Sequence, residues 1–242
     1  MPGIFGFAFR QTIAQTGLLD GFTDWHCHIL PGVDDGVRSM DDALSILDCY
    51  GRLGISEVWL TPHIMEDSPN TTDHLKEAFS LLRDRYHGSL RLHLAAEYMM
   101  DSLFESRLSS GDLLPLGCAG NHLLVETSYF NPPARFVSIM KEIKAAGFFP
   151  VLAHPERYIY MDMKDYDALI DNGIRLQLNL PSLIGNYGRD VQRKAFRLLE
   201  RGAYELAGTD LHRPSQTEQL RSCRCLPYRL RKSLSQDSFI TI

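Results

Sequence analysis

Seven short apolar runs alternate with helical patterns along this chain, and all but one of them end on a residue that can bind a metal or a proton. The runs cover residues 22–26, 55–61, 90–96, 122–125, 148–153, 175–179 and 204–209. Between them lie amphipathic stretches with helix punctuation. Ser39-Met40-Asp41-Asp42 opens one like a capping box, Ala43, Leu44, Ile46, Leu47, Tyr50 and Leu53 recur at helical spacing, and Gly54 closes it. Further helices are expected over residues 70–86, 133–146, 165–172 and 191–201, with a short helix and a loop over 99–118. Strand–helix alternation of this kind predicts an α/β fold with a parallel sheet wound in βα units. No linker or low-complexity stretch divides the 242 residues, so one domain is expected over 22–221, with an N-terminal extension over 1–21 and a C-terminal tail over 222–242.

A parallel barrel gathers the C-terminal ends of its strands on one face, where sites are built from the βα loops. His63, Glu97, Glu126, His154 and Asp210 each stand just past a run. His26 and His28, two residues apart at the end of the first, point the same way. Asp35 and His212 lie on adjoining loops. Clustering two Glu, two Asp and five His without a cation would bury several like charges, which metal ions resolve. Imidazole and carboxylate without thiolate favour Zn²⁺, Mn²⁺ or Fe²⁺ over Ca²⁺ or Mg²⁺. Clustered ions of this kind suit phosphoester hydrolysis.

Composition narrows the alternatives. The net charge of −5 argues against a general nucleic-acid binder. The five cysteines are odd in number and scattered, which reads as reduced thiols in a cytoplasmic protein. Cys27 alternates away from the two histidines and is expected in the core, and Cys223-Arg224-Cys225 lacks the second pair a zinc finger needs. No run approaches the roughly 18 apolar residues of a membrane span, and the apolar N-terminus lacks the charged start of a signal peptide.

Several motifs together carry a resemblance. They are Asp24-Trp25-His26-Cys27-His28-Ile29-Leu30-Pro31-Gly32-Val33-Asp34-Asp35-Gly36, Thr61-Pro62-His63, Glu97, Glu126, His154-Pro155-Glu156-Arg157 and Asp210-Leu211-His212. From about Phe22 to Arg213 the chain resembles the PHP (polymerase and histidinol phosphatase) superfamily, and within it the CpsB/YwqE-type protein-tyrosine phosphatases of bacterial capsule and exopolysaccharide systems. The resemblance implies a distorted (β/α)7 TIM-like barrel, the PHP fold, with a three-metal cluster, Mn²⁺ foremost with Zn²⁺ or Fe²⁺ as alternatives. It gives the first metal to His26, His28, Glu97 and Asp210, bridges Glu97 to a second held by Glu126 and His154, and gives the third to Asp35, His63 and His212. Arg157 matches the family arginine that holds the phosphate, a planar fork suited to bidentate contact.

The implied reaction is attack of a metal-bound hydroxide on phosphotyrosine of a bacterial tyrosine kinase. No Cys-x₅-Arg signature of a cysteine phosphatase is present. The leaving oxygen takes its proton from Asp34 or from a metal-bound water, and Asp24 is expected to orient a histidine. The family's second phosphate-binding arginine has no direct counterpart, leaving Arg213 or Arg221 to substitute. The alternatives are a small-molecule phosphatase of the histidinol-phosphate type, which would carry His where Asp35 and Glu126 stand, and a non-catalytic PHP module that binds metal or a partner.

Overall fold

The computed structural model describes residues 12–222. Its strands are β1 (Thr23–Cys27), β2 (Glu57–Leu60), β3 (His63–Ile64), β4 (Arg91–Leu94), β5 (Glu97–Met99), β6 (His122–Glu126), β7 (Phe149–Ala153), β8 (Arg175–Asn179) and β9 (Leu206–Gly208). The helices are α1 (Ile13–Thr16), α2 (Met40–Arg52), α3 (Thr72–Arg85), α4 (Ser102–Ser110), α5 (Phe136–Ala145), α6 (Met163–Asp171), α7 (Leu180–Leu183), α8 (Arg189–Glu200) and α9 (Pro214–Ser222). All strand pairings are parallel, in the order β1-β2-β4 and β3-β5-β6-β7-β8-β9.

Nine segments make seven staves. The run expected over 55–61 leaves its ladder at Thr61-Pro62, where proline has no N–H to donate, and resumes as β3. The run expected over 90–96 likewise breaks at Ala95-Ala96 and resumes as β5. The first halves pair with β1 and the second halves with β6, which lets the sheet curl. It returns on itself where Asp210 N–H donates to His26 O at 2.7 Å and His28 N–H donates to Leu211 O at 2.9 Å. The result is the distorted TIM-like barrel that the alternation and the resemblance predict.

Two apolar layers hold this shape. Trp25, Trp59, Ala95, Leu124, Val151, Ala153 and Leu206 fill the barrel interior, with Trp25 and Trp59 stacked at 5.5 Å. A larger core lies between strands and helices. Helix α2 shows how the helices dock: Ser39 Oγ accepts the Asp42 N–H, and Ala43, Ile46, Leu47 and Tyr50 form one buried stripe. In β1 a register shift between Asp24 and Cys27 turns Trp25 into the barrel and Cys27 into the outer core, as a bulge re-aims side chains.

The seam between β9 and β1 admits no side chain at Gly208. A Cβ there would lie 2.5 Å from His26 Cβ and 2.8 Å from His26 N. Gly208→Ala is therefore expected to destabilise the fold by about 1–3 kcal/mol, as overpacking does. Thermal denaturation should show a Tm lower by several degrees, and an unchanged Tm would mean that the seam widens without strain.

The described residues contain no helix long and apolar enough to cross a membrane. Residues 1–11 of the expected extension and 223–242 of the expected tail, including Cys223 and Cys225, lie outside the described residues. In the described part of the expected extension, α1 is capped by Thr12 and packs against α9, so residues 12–21 adjoin the barrel.

Candidate metal centre

The strand ends converge as the topology requires. Glu97 stands at the middle, fully buried: its Oε2 lies 3.2 Å from His26 Nε2, 3.3 Å from His28 Nε2 and 3.2 Å from His63 Nδ1. Its Oε1 lies 3.1 Å from His154 Nε2. Asp210 Oδ1 is 3.5 Å from His26 Nε2 and 3.4 Å from His28 Nε2. Glu126 reaches His63 Nδ1 at 3.4 Å and His154 Nε2 at 3.7 Å. At the outer edge Asp35, with its side chain 75% exposed, stands 3.6 Å from His63 Nε2 and 3.5 Å from His212 Nε2. All nine sequence-predicted ligand positions thus lie together, in four overlapping groups whose donor atoms are within 4.8 Å of one another. His63 has a place in two of them, with Asp35 and His212 and with Glu97 and Glu126.

Backbone geometry marks the same residues. His154 at φ 33° and Asp210 at φ 49° are the non-glycine residues with left-handed backbones among the described residues. Such conformations cost roughly 1–3 kcal/mol each and persist where the surroundings over-determine them. Here the surroundings are the seam at Asp210 and the short 3₁₀ turn Pro155–Arg157 that follows His154.

Ring orientation comes from residues behind the cluster. His26 Nδ1 meets Gln177 Oε1 at 2.9 Å, His28 Nδ1 meets Asp34 Oδ2 at 2.8 Å, and His212 Nδ1 meets the Asp210 carbonyl at 2.9 Å. Each acceptor engages Nδ1 and turns Nε2 toward the centre, the orientation that metal-ligating histidines require.

The electrostatics call for a cation. Burial would raise the Glu97 carboxyl, yet the charge of His26 and the imidazole contacts of His154, His26 and His28 hold it well below the usual range. Glu126 goes the other way, pushed well up by burial and then by the negative charges of Glu97 and Asp210. Burial lowers His63 and His154 to about 4, so both rings are neutral donors at pH 7. Glu97 Oε2, His63 Nδ1 and His154 Nδ1 are buried without a hydrogen bond of acceptable geometry. Opposed lone pairs at this spacing, with one carboxylate destabilised by two others, are what a positive ion between them relieves. The donor set fits a borderline divalent metal.

Two expectations change. Asp34 does not fit a proton donor: Oδ2 is taken by His28 Nδ1 and the His63 N–H, Oδ1 by the Gly36 N–H, and its pKa is lowered because His28 and these donors outweigh burial. It is an ionised positioning group. Asp34→Asn is expected to weaken metal affinity about 10–100-fold while leaving turnover at saturating metal, and its alkaline limb, intact. Loss of that limb at full metal occupancy would return Asp34 to the acid role. Asp24 orients no imidazole either. It accepts from Thr209 N–H at 2.8 Å and Thr209 Oγ at 2.7 Å, pinning the seam, and burial raises its pKa to about 6.

Arg157 lies at the edge of the cluster. Its Nη1 donates to Asp210 Oδ2 at 2.7 Å, and its guanidinium lies over the rings of Tyr129 and Tyr187, 4.2 and 4.3 Å from their centroids. Sequence reasoning missed both tyrosines and Gln177. Gln177 carried a signal: it shares the inward face of β8 with Asn179, a buried amide among leucines. Tyr158, which follows Arg157, is buried in the core, its hydroxyl donating to the Ala153 carbonyl at 3.0 Å. Arg213 is exposed and lines a cavity of about 500 Å³ with Asp35, Tyr187 and His212. Arg221 is held by Glu218 at 2.8 and 2.9 Å.

A family model described as "Capsular polysaccharide synthesis, CpsB/CapC" matches residues 22–239. The chain belongs to the CpsB/CapC family. The match runs through the tail, beyond the limit near Arg213 suggested by the motifs. Tyrosine-protein phosphatase YwqE of Bacillus subtilis is 26% identical over 200 residues, covering 78% of this chain and 76% of that protein. Tyrosine-protein phosphatase CpsB of Streptococcus pneumoniae is 26% identical over 202 residues, covering 78% and 82%. A crystal structure from a study of YwqE and CpsB as "unique metal-dependent tyrosine phosphatases" matches with a TM-score of 0.74 at 24% identity, over 88% of this chain and 85% of that one. A zinc-bound amidohydrolase from Burkholderia ambifaria matches at 0.55 with 13% identity, over 96% and 89%. These two likenesses concern the fold.

Proposed function

We propose that this CpsB/CapC member is a metal-dependent protein-tyrosine phosphatase acting on a phosphotyrosine-bearing bacterial tyrosine kinase of capsular or exopolysaccharide synthesis. One observation carries the reading: a buried cluster of histidines and carboxylates, in need of cations, adjoins a guanidinium with an open edge. The named activity of the YwqE and CpsB relatives supports the substrate class. We assign His26, His28, Glu97 and Asp210 to a first ion, Glu97, Glu126 and His154 to a second, and Asp35, His63 and His212 to a third, with Mn²⁺ preferred and Zn²⁺ or Fe²⁺ as alternatives. Bound ions would supply Lewis acidity and a water of low pKa.

The chain's own residues do the rest. Gln177 and Asp34 hold the Nδ1 atoms of His26 and His28 and so aim their Nε2 atoms at the centre, and Asn179 Nδ2 together with Arg157 holds Asp210 Oδ2 so that Oδ1 faces the histidines. Arg157 offers N–H donors to phosphate oxygens. Arg213, at the cavity rim, replaces the family's second arginine in preference to Arg221, whose fork is occupied by Glu218. A phenolic leaving oxygen, with a pKa near ~10, leaves more readily than an alkoxide and asks less of a general acid. We assign the protein to the cytoplasm, in keeping with five scattered cysteines that read as reduced thiols.

Purified protein loaded with Mn²⁺ should hydrolyse phosphotyrosine peptides and p-nitrophenyl phosphate, and histidinol phosphate far more slowly. Activity that survives exhaustive chelation would remove the metal from the reaction. A preference for histidinol phosphate would move the chain to the small-molecule class.

A further inference from the structure

The guanidinium of Arg157 lies over two tyrosine rings. Tyr129, on the loop after β6, has its centroid 4.2 Å from it, and Tyr187, after α7, 4.3 Å. Each ring has its own support. Tyr187 Oη accepts from Asn179 Nδ2 at 3.2 Å, and that same amide donates to Asp210 Oδ2 at 3.1 Å. The Tyr129 carbonyl accepts from the Ile159 N–H at 3.0 Å, joining the loop after β6 to the segment that follows Arg157, and its ring stacks on Tyr158 at 6.1 Å. Four side chains thus close a ring: Asn179, Asp210, Arg157 and Tyr187.

A guanidinium carries all its N–H donors in its plane, so a cation packed over aromatic rings bonds through its edge. Part of that edge, Nη1, is given to Asp210. The remaining N–H groups find no acceptor among the described residues, and Tyr187 itself lines the cavity of about 500 Å³ that opens beside Asp35 and His212. An aliphatic wall would give the guanidinium no such orientation, because a cation is drawn to the centre of an aromatic face. We propose that Tyr129 and Tyr187 are positioning residues that clamp Arg157 against two aromatic faces and so aim its open edge at the phosphate of substrate and product. This rests on the reading of Arg157 as the phosphate-holding arginine.

A double-mutant cycle tests it, read by calorimetric titration of the metal-loaded protein with inorganic phosphate and by the split between KM and kcat on a phosphotyrosine peptide. Tyr129→Leu and Tyr187→Leu should each raise the Kd for phosphate and the KM about five- to tenfold. Their effect on kcat should be smaller, and the Tm should stay close to that of the parent. Tyr129→Phe and Tyr187→Phe should stay within about twofold, since the ring face is kept. In an Arg157→Gln background the leucine variants should add nothing further, because the tyrosines act through the lost group. Equal losses in both backgrounds, or phenylalanine variants as weak as the leucine ones, would overturn the clamp. If Arg157→Gln binds phosphate as the parent does, the reading of Arg157 fails instead, and the clamp with it.

Discussion

Replacing Glu97 by Gln is expected to abolish turnover, lowering kcat/KM by about a thousandfold or more, and to strip metal from the protein. Residues that merely orient a ligand cost about 10–100-fold when removed, and Glu97 stands inside the cluster itself. Both of its oxygens are engaged, Oε2 within 3.3 Å of three imidazoles and Oε1 3.1 Å from a fourth. The substitution keeps shape and volume, so the buried position at the start of β5 remains filled. It exchanges one anionic oxygen for an N–H₂ group that repels a cation and donates to the lone pairs that would otherwise hold it. Elemental analysis after gel filtration should find fewer ions per chain, while circular dichroism stays unchanged. Glu97→Gln with activity within tenfold of the parent would place the reaction elsewhere on the barrel face.

How much of this was legible in the chain follows from what each residue type signals. The strand ends could be read because an ionisable residue after an apolar run is conspicuous, and βα topology makes such residues neighbours without any sequence proximity. The curl of the sheet was less legible. Pro62 announces a break in its own strand, but Ala95-Ala96 breaks another with residues that carry no turn signal, and both breaks are needed for the halves to pair differently. Adjacent aspartates were a second difficulty. Asp34 and Asp35 look alike in sequence, yet the loop turns one onto the His28 ring and leaves the other at the open edge. Asp24 misled for a related reason: strict alternation puts it with His26, and the register shift in β1 hands it to Thr209 instead. Gln177, Tyr129 and Tyr187 had no charge to draw attention, and their roles exist only through partners brought from other strands and loops.

Arg157→Gln is the second large effect, and its value lies in separating two jobs that one guanidinium performs. If Arg157 meets the phosphate, its loss should lower kcat/KM about 10²–10³-fold, the scale of removing a preorganised donor from a developing negative charge. Arg157→Lys should recover only part of this, because an ammonium supplies a point charge without the bidentate fork. The same guanidinium also bonds Asp210 Oδ2 at 2.7 Å, so activity lost through a displaced carboxylate must be told apart. Asn179 makes that possible. Its Nδ2 stays 3.1 Å from the same oxygen, and its own backbone N–H is tied to buried Glu156 Oε1 at 3.0 Å, so Asp210 keeps one fixed donor when Arg157 is gone. Metal content is therefore expected to survive in Arg157→Gln while phosphate affinity falls. Metal lost in parallel with activity would make Arg157 a holder of Asp210, and the phosphate would then fall to Arg213 at the cavity rim, where Arg213→Gln should have the larger effect.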